Sequence, residues 1–248
     1  MKILLTNDDG IDSDGIRKLA KALRCRGHKV YVIAPDVNRS GISHAVSLLN
    51  GPVKLSACGE DTWTCTGYPA DCVIVGLLGA LGEKPDLVLS GINKGANIGT
   101  DIIYSGTAAA ARQGGISGIP AVALSLAGIN DYSTSVLKEY YWDMASSWSA
   151  DHLEELMAFW ERNSFVNVNI PNNPKGPEGI ARARPAIKKY NDAITLLDAP
   201  DGNRWCFIKA GEESAESGTD NDWNTVSRNL VSVSLLHCYA VVYEGKKD

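Results

Sequence analysis

Met1-Lys2-Ile3-Leu4-Leu5-Thr6-Asn7-Asp8-Asp9-Gly10 opens the chain. The apolar run Ile3-Leu4-Leu5 reads as a buried strand, and it delivers two adjacent carboxylates, Asp8 and Asp9, to its carboxyl end. In open α/β sheets ligands bind outside that edge. Two like charges side by side cost free energy unless a cation sits between them. A hard divalent ion, which prefers oxygen ligands, fills that role.

Working outward, Asp12, Ser13 and Asp14 offer N-caps, and Ile16, Leu19, Ala20 and Leu23 recur at helical spacing up to Gly27. Lys29 to Ala34 reads as a second strand closed by Pro35, giving a strand–helix–strand unit with a parallel crossover. Val53 to Ala57 and Thr62 to Thr66 flank Cys58-Gly59-Glu60-Asp61 as a hairpin. Pro69 suits the first turn of a helix expected to run to about Leu81. Asp86 to Ser90 is a third parallel strand opening into a Gly/Asn-rich loop, Gly91 to Gly99. A helix through Ala108 to Ala111 is expected to stop at Gly114-Gly115, before a buried strand from Pro120 to Leu126.

The second half reads differently. One or two helices are expected over Tyr132 to Arg162 and a strand over Phe165 to Ile170. Strand-like pieces follow at Ile180 to Ala183, Arg204 to Lys209 and Leu230 to Leu236. The fold expected is a doubly wound α/β core with a mainly parallel sheet over residues 1–126 and an α+β extension over 127–248, within a single domain.

Three strand-end loops hold the unusual polar residues: Asp8 and Asp9; Asn38, Arg39 and Ser40; and Ser90, Asn93, Asn97 and Asp101. Carboxylates, an amide oxygen and a hydroxyl form an oxygen shell for a hard metal. Tyr104-Ser105-Gly106-Thr107 precedes the Ala-rich helix, and a helix start with open N–H groups is a phosphate cradle. Each piece alone also reads as an ordinary turn or cap; their joint placement on one sheet edge carries the argument. His44, four residues after Ser40, is a candidate general acid, although a lone histidine is more often structural. The Trp and Tyr residues of 132–160 fit helix packing or an oligomer contact better than base stacking.

The 248 residues carry a net charge of −5, and no basic footprint points to nucleic-acid duplex binding. No apolar run reaches membrane-span length, and no leader precedes the first strand, so a cytoplasmic protein is expected. The six cysteines form no Cys-x-x-Cys pair and read as buried, reduced thiols. Neither a Walker A sequence nor a Gly-x-Ser-x-Gly elbow occurs, and no Gly-x-Gly-x-x-Gly follows the first strand.

These residues resemble the SurE family of survival proteins, metal-dependent 5′/3′-nucleotidases. The likeness runs through residues 3 to 10, Ala34-Pro35-Asp36 with Asn38-Arg39-Ser40-Gly41, and Gly67 to Val73. It is densest in Ser90-Gly91-Ile92-Asn93, Gly95, Asn97, Gly99, Asp101 and Tyr104-Ser105-Gly106-Thr107. It resumes at Val166 to Pro171 and Gly218-Thr219-Asp220. The resemblance implies that Asp8, Asp9, Ser40 and Asn93 hold one divalent ion per subunit, magnesium or manganese. It implies that Asn97, Ser105, Gly106 and Thr107 contact phosphate, that the α/β core is a Rossmann-like three-layer one, and that subunits form dimers or tetramers with the extension over 127–248 used in their contacts. Tyr68, Lys94, Asn229-Leu230-Val231-Ser232 and Ser234 depart from the family pattern. The expected reaction is hydrolysis of nucleoside monophosphates, with Asp8 and Asp9 catalytic and water rather than an aspartate attacking. A broad small-phosphate or polyphosphate phosphatase, and a nucleotide-binding module without turnover, are the alternatives.

Overall fold

The computed structural model describes residues 1–128, 139–211 and 213–241. Six parallel strands form its centre: β1 (Lys2–Thr6), β2 (Lys29–Pro35), β4 (Thr62–Cys65), β5 (Leu87–Lys94), β6 (Ala121–Ala127) and β7 (Ser164–Pro171). Three more complete a nine-stranded sheet: β3 (Leu55–Gly59), β8 (Ile180–Arg182) and β13 (Val231–His237). The order is β3-β4-β2-β1-β5-β6-β7-β13-β8. The chain lays β2 on one side of β1 and later places β5 on the other. The switch point of this Rossmann-like sheet therefore lies between β1 and β5, the place in such sheets where ligands bind beyond the strand ends.

Strand β1 shows why the sheet is covered on both faces. Ile3 and Leu5 join one apolar cluster with Leu19 and Leu23 of α1 (Asp14–Cys25) and with Leu153 and Leu156 of the later helices. Leu4, pointing the other way, joins Ile33, Cys72, Val73, Ala108 and Ala111. The second face is covered by α2 (Pro69–Val75) and α3 (Gly106–Ile116). On the first face α1 packs beside α4 (Trp142–Asp151), with α5 (Leu153–Met157) following it. Arg26 to Asp151 and Lys18 to Asp143 pair at 2.6 and 2.7 Å across that joint.

Several expected boundaries move for local reasons. Gly114 and Gly115 do not stop α3; they lie inside it. A Cβ on Gly114 would sit 2.8 Å from Val88 Cβ, and one on Gly115 would sit 2.3 Å from the Ser164 carbonyl. The glycines are a packing surface that lets the helix lie on β5 and β7. Helix α2 ends at Val75 rather than near Leu81, in a π-helical turn, Gly76–Ala80, broken at Gly79 with φ 141°. Strand β5 runs on to Lys94 through a bulge between Ser90 and Asn93, where a loop was expected. Of the six free cysteines only Cys65, Cys72 and Cys238 are buried, against the expectation for all six.

The second half adds β7, β13 and β8 to the main sheet. It also carries a β arm that sequence reading found only in part. The stem is β9 (Lys188–Tyr190) paired with β12 (Glu213–Ala215), and the tip is β10 (Ala193–Asp198) paired with β11 (Arg204–Lys209). A short helix, α6 (Asp222–Ser227), follows. Residues 132–138 of the expected helical stretch lie outside the described residues.

Candidate active site

The β1 loop is held mainly by peptide groups. The Asn7 side chain donates from Nδ2 to the Gly10 carbonyl at 2.9 Å and to Ser13 Oγ at 2.8 Å, and its Oδ1 accepts from the Gly10 N–H. Gly10 stands at φ 97°, as this tight turn requires. From the β2 loop, the Arg39 N–H donates to the Asp8 carbonyl at 2.7 Å. From the end of β5, the Lys94 N–H donates to Asp9 Oδ2 at 3.0 Å. Three loops are thus tied together around the two carboxylates.

Asp8 is buried and presses against the start of α3. The Thr107 hydroxyl donates to its Oδ1, and a Cβ on Gly106 would lie 3.0 Å from its Oδ2. Burial pushes the Asp8 carboxyl up to about 6, against the Thr107 hydrogen bond that lowers it and with the Asp9 charge adding to the rise. Burial raises Asp9 as well, opposed by the Lys94 N–H and charge. No ion pair joins either carboxylate to a described residue. The Lys94 ammonium instead stands 5.2 Å from the centre of the Tyr140 ring.

The other expected ligands lie on the same rim. Ser40 is exposed, one residue beyond Arg39, with its N–H on Asn38 Oδ1 at 2.8 Å. Asn93 donates from Nδ2 to the Gly95 carbonyl at 3.0 Å, which leaves its Oδ1 as a spare acceptor. Among the described residues no three His, Cys, Asp or Glu side chains converge. The donor set is two carboxylates plus neutral oxygens. A buried and a half-buried carboxylate without an ion-pair partner among the described residues, beside amide and hydroxyl oxygens, suit a hard divalent cation.

The phosphate candidates divide. Ser105 caps α3, its Oγ accepting from the Ala108 N–H at 3.0 Å, which leaves the hydroxyl hydrogen available. The Gly106 N–H makes no hydrogen bond to a described residue. The Thr107 hydroxyl is spent on Asp8, so what it brings is the orientation of that carboxylate. Asn97 is buried, with one Nδ2 hydrogen on Ser125 Oγ at 2.9 Å and its backbone gripped by Asn167 and Asn169 of β7. His44 is half-buried with Nε2 3.1 Å from Gln113 Oε1, and burial lowers its pKa.

Sequence reading missed Asn7 as the organiser of the carboxylate loop, though an Asn three residues before Gly is the signal of such a turn. It also missed Asn167 and Asn169, whose alternation on a buried strand places two amides on one face.

The fold defines a class, the Rossmann-like α/β proteins. The crystal structure of the SurE protein from Aquifex aeolicus superposes with a TM-score of 0.84 at 34% identity, covering 100% of this chain and 97% of that one. The family model described as Survival protein SurE matches residues 3–192. The chain is 36% identical to the 5′-nucleotidase SurE of Methylocella silvestris, over 95% of this chain and 93% of that protein. It is 33% identical to the 5′-nucleotidase SurE of Thermosynechococcus vestitus, over 100% and 95%. The chain belongs to the SurE family.

Proposed function

We propose that the chain is a divalent-metal-dependent phosphomonoesterase that hydrolyses nucleoside 5′- and 3′-monophosphates to nucleoside and phosphate. The observation that carries the reading is the carboxylate pair at the switch point, which makes no ion pair with a described residue and packs against the open start of α3. Relatives across nearly the whole chain are named 5′-nucleotidase SurE, which supports the same substrate class.

Asp8, Asp9, Ser40 and Asn93 are the residues that would hold one magnesium or manganese ion. Bound there, the ion supplies Lewis-acid polarisation of phosphate and acidification of water. The chain's own residues supply position. The Ser105 hydroxyl, the Gly106 N–H and the second Nδ2 hydrogen of Asn97 offer donors to phosphate oxygens on the positive end of α3. Thr107 fixes which Asp8 oxygen faces the ligand. Both carboxylates serve the cation in this reading, so water is the nucleophile. Burial lowers the His44 pKa, which disfavours the protonated form a general acid needs, so in this reading the leaving oxygen takes its proton from water.

No helix among the described residues is long and apolar enough to cross a membrane. Six free thiols favour the reducing cytoplasm as the compartment. The exposed Ile194, Leu196, Leu197, Trp205, Phe207 and Ile208 of the arm favour a homodimer or homotetramer built through that arm.

The test is phosphate release from 5′- and 3′-nucleoside monophosphates and short polyphosphate, with manganese, magnesium or EDTA. Asp9→Asn is the control. Metal-dependent release from nucleotides that is lost in Asp9→Asn is expected. Preference for polyphosphate would shift the substrate class, and nucleotide binding with no release from any substrate would overturn the enzyme.

A further inference from the structure

The start of α3 is set by a turn, and that turn is gripped from the arm. Gly99–Ile103 forms a short 3-10 turn after β5. The Asp101 carbonyl accepts from the N–H groups of Tyr104 and Ser105 at 3.0 and 3.1 Å, so Asp101 fixes the residue that caps α3. The carboxylate of Asp101 enters a polar knot made by the arm's stem.

Lys188, the first residue of β9, fills that knot. Its side chain is 1% exposed. The ammonium pairs with Asp101 Oδ2 and, at 2.5 Å, with Glu213 Oε2 of β12. It lies 5.1 Å from the centre of the Tyr190 ring and 5.5 Å from that of Trp223. The Tyr190 hydroxyl donates to Asp101 Oδ1 at 2.7 Å. A buried ammonium is costly unless it is fully paired, and this one is paired on both sides and walled by aromatic rings.

A second tie lies beside it. The Gly99 N–H donates to Asp222 Oδ2 at 2.8 Å, and the Ala186 N–H donates to the other oxygen of Asp222 at 2.8 Å. Gly99 stands at φ 57°, and a Cβ there would sit 2.3 Å from the Ala186 carbonyl. The turn therefore has no slack on the side facing the stem.

We infer that Lys188 is a positioning residue: with Tyr190 it holds Asp101, and through the Asp101 carbonyl it sets Ser105 and the first turn of α3. The inference rests on the reading of that turn as the phosphate site. It adds a requirement that the arm's stem be seated for phosphate to bind well.

The experiment uses the full chain and the variants Lys188→Met and Tyr190→Phe. Hydrogen exchange of the Tyr104 and Ser105 amides reads the coupling without any need for turnover. Calorimetry with manganese alone and then with inorganic phosphate separates the two halves of the site, and kcat and KM are measured on a nucleoside 5′-monophosphate. Both variants are expected to speed exchange at Tyr104 and Ser105. Lys188→Met is expected to raise the phosphate Kd and the KM about tenfold or more, as for a group displaced by a fraction of an ångström. Tyr190→Phe should do the same to a smaller degree, and manganese affinity should stay within about twofold of wild type. Unchanged exchange at both amides in Tyr190→Phe, whether or not Lys188→Met folds, would overturn the coupling. So would unchanged phosphate affinity in a folded Lys188→Met protein. A wild-type protein that neither binds phosphate nor releases it fails the phosphatase reading instead, and the exchange data still decide the coupling.

Discussion

Adding one methyl group at residue 106 isolates the contact between the helix start and the carboxylate. In Gly106→Ala the new Cβ would lie 2.8 Å from Asp8 Cβ and 3.0 Å from Asp8 Oδ2. Carbon atoms in ordinary contact stand about 3.5–4.0 Å apart, so Asp8 and the α3 start must separate by roughly 0.7 Å or more. Neither partner is a flexible tip: Asp8 follows a strand buried between β2 and β5, and α3 is packed on β5 and β6. Misplacement of reacting groups by about 1 Å costs on the order of a hundredfold in rate, or about 2.7 kcal/mol of barrier. Alanine in a helix is favoured over glycine by at most about 1 kcal/mol, which offsets part of the strain in the fold. The expected result is kcat/KM on a nucleoside 5′-monophosphate reduced about a hundredfold, with Tm moved by no more than a few degrees. Activity within about threefold of wild type would show that the contact does not set the geometry. A collapse in Tm with matching loss of activity would show that the strain falls on the fold rather than the site.

Other expectations follow from the same structure. In the metal-free protein Asp8 holds its proton up to about 6, so manganese affinity measured by calorimetry should be greatest above that pH. It should fall by about tenfold per pH unit below it, as proton and metal compete. The same raised pKa means that apo stability gains from Asp8 as pH falls from about 6 toward the ordinary carboxylate range, opposite to the usual acid loss. Glu83, paired with Lys2 and Lys29 and accepting from Tyr31, is held down at about 2. Its contribution is present above the unfolded carboxylate pKa and lost as pH falls through about 2. Glu83→Gln should therefore lower Tm at neutral pH, and the difference should shrink in acid and in high salt. Phe165→Ala, at a fully buried ring where α3 meets β7, should cost about 3–5 kcal/mol by urea denaturation, while an unchanged midpoint would contradict that packing.

The rim that carries the candidate site was legible in the sequence because its parts are strand ends. A buried run followed by Asn-Asp-Asp-Gly states both the strand and what it delivers, and the switch point follows from chain order. What could not be read was what each side chain does there. Thr107 and Asn97 look like phosphate donors in a motif, yet Thr107 spends its hydroxyl on Asp8 and Asn97 one amide hydrogen on Ser125. Gly114-Gly115 reads as a stop signal because propensity carries no record of a helix lying tight on Val88 and Ser164. The arm was half visible: Arg204 to Lys209 looks like a strand, but β9 and β12 are three residues each and paired across more than twenty positions. The knot around Lys188 leaves no local pattern, since its members come from positions 101, 188, 190, 213 and 223.

Two of the donors that lace the carboxylate loop to its neighbours are the main-chain N–H groups of Arg39 and Lys94. Every amino acid but proline brings that group. These two tethers therefore do not depend on which side chain the rim position carries, and a substitution at residue 39 or 94 can change the charge beside the carboxylates while the main-chain hold on them stays.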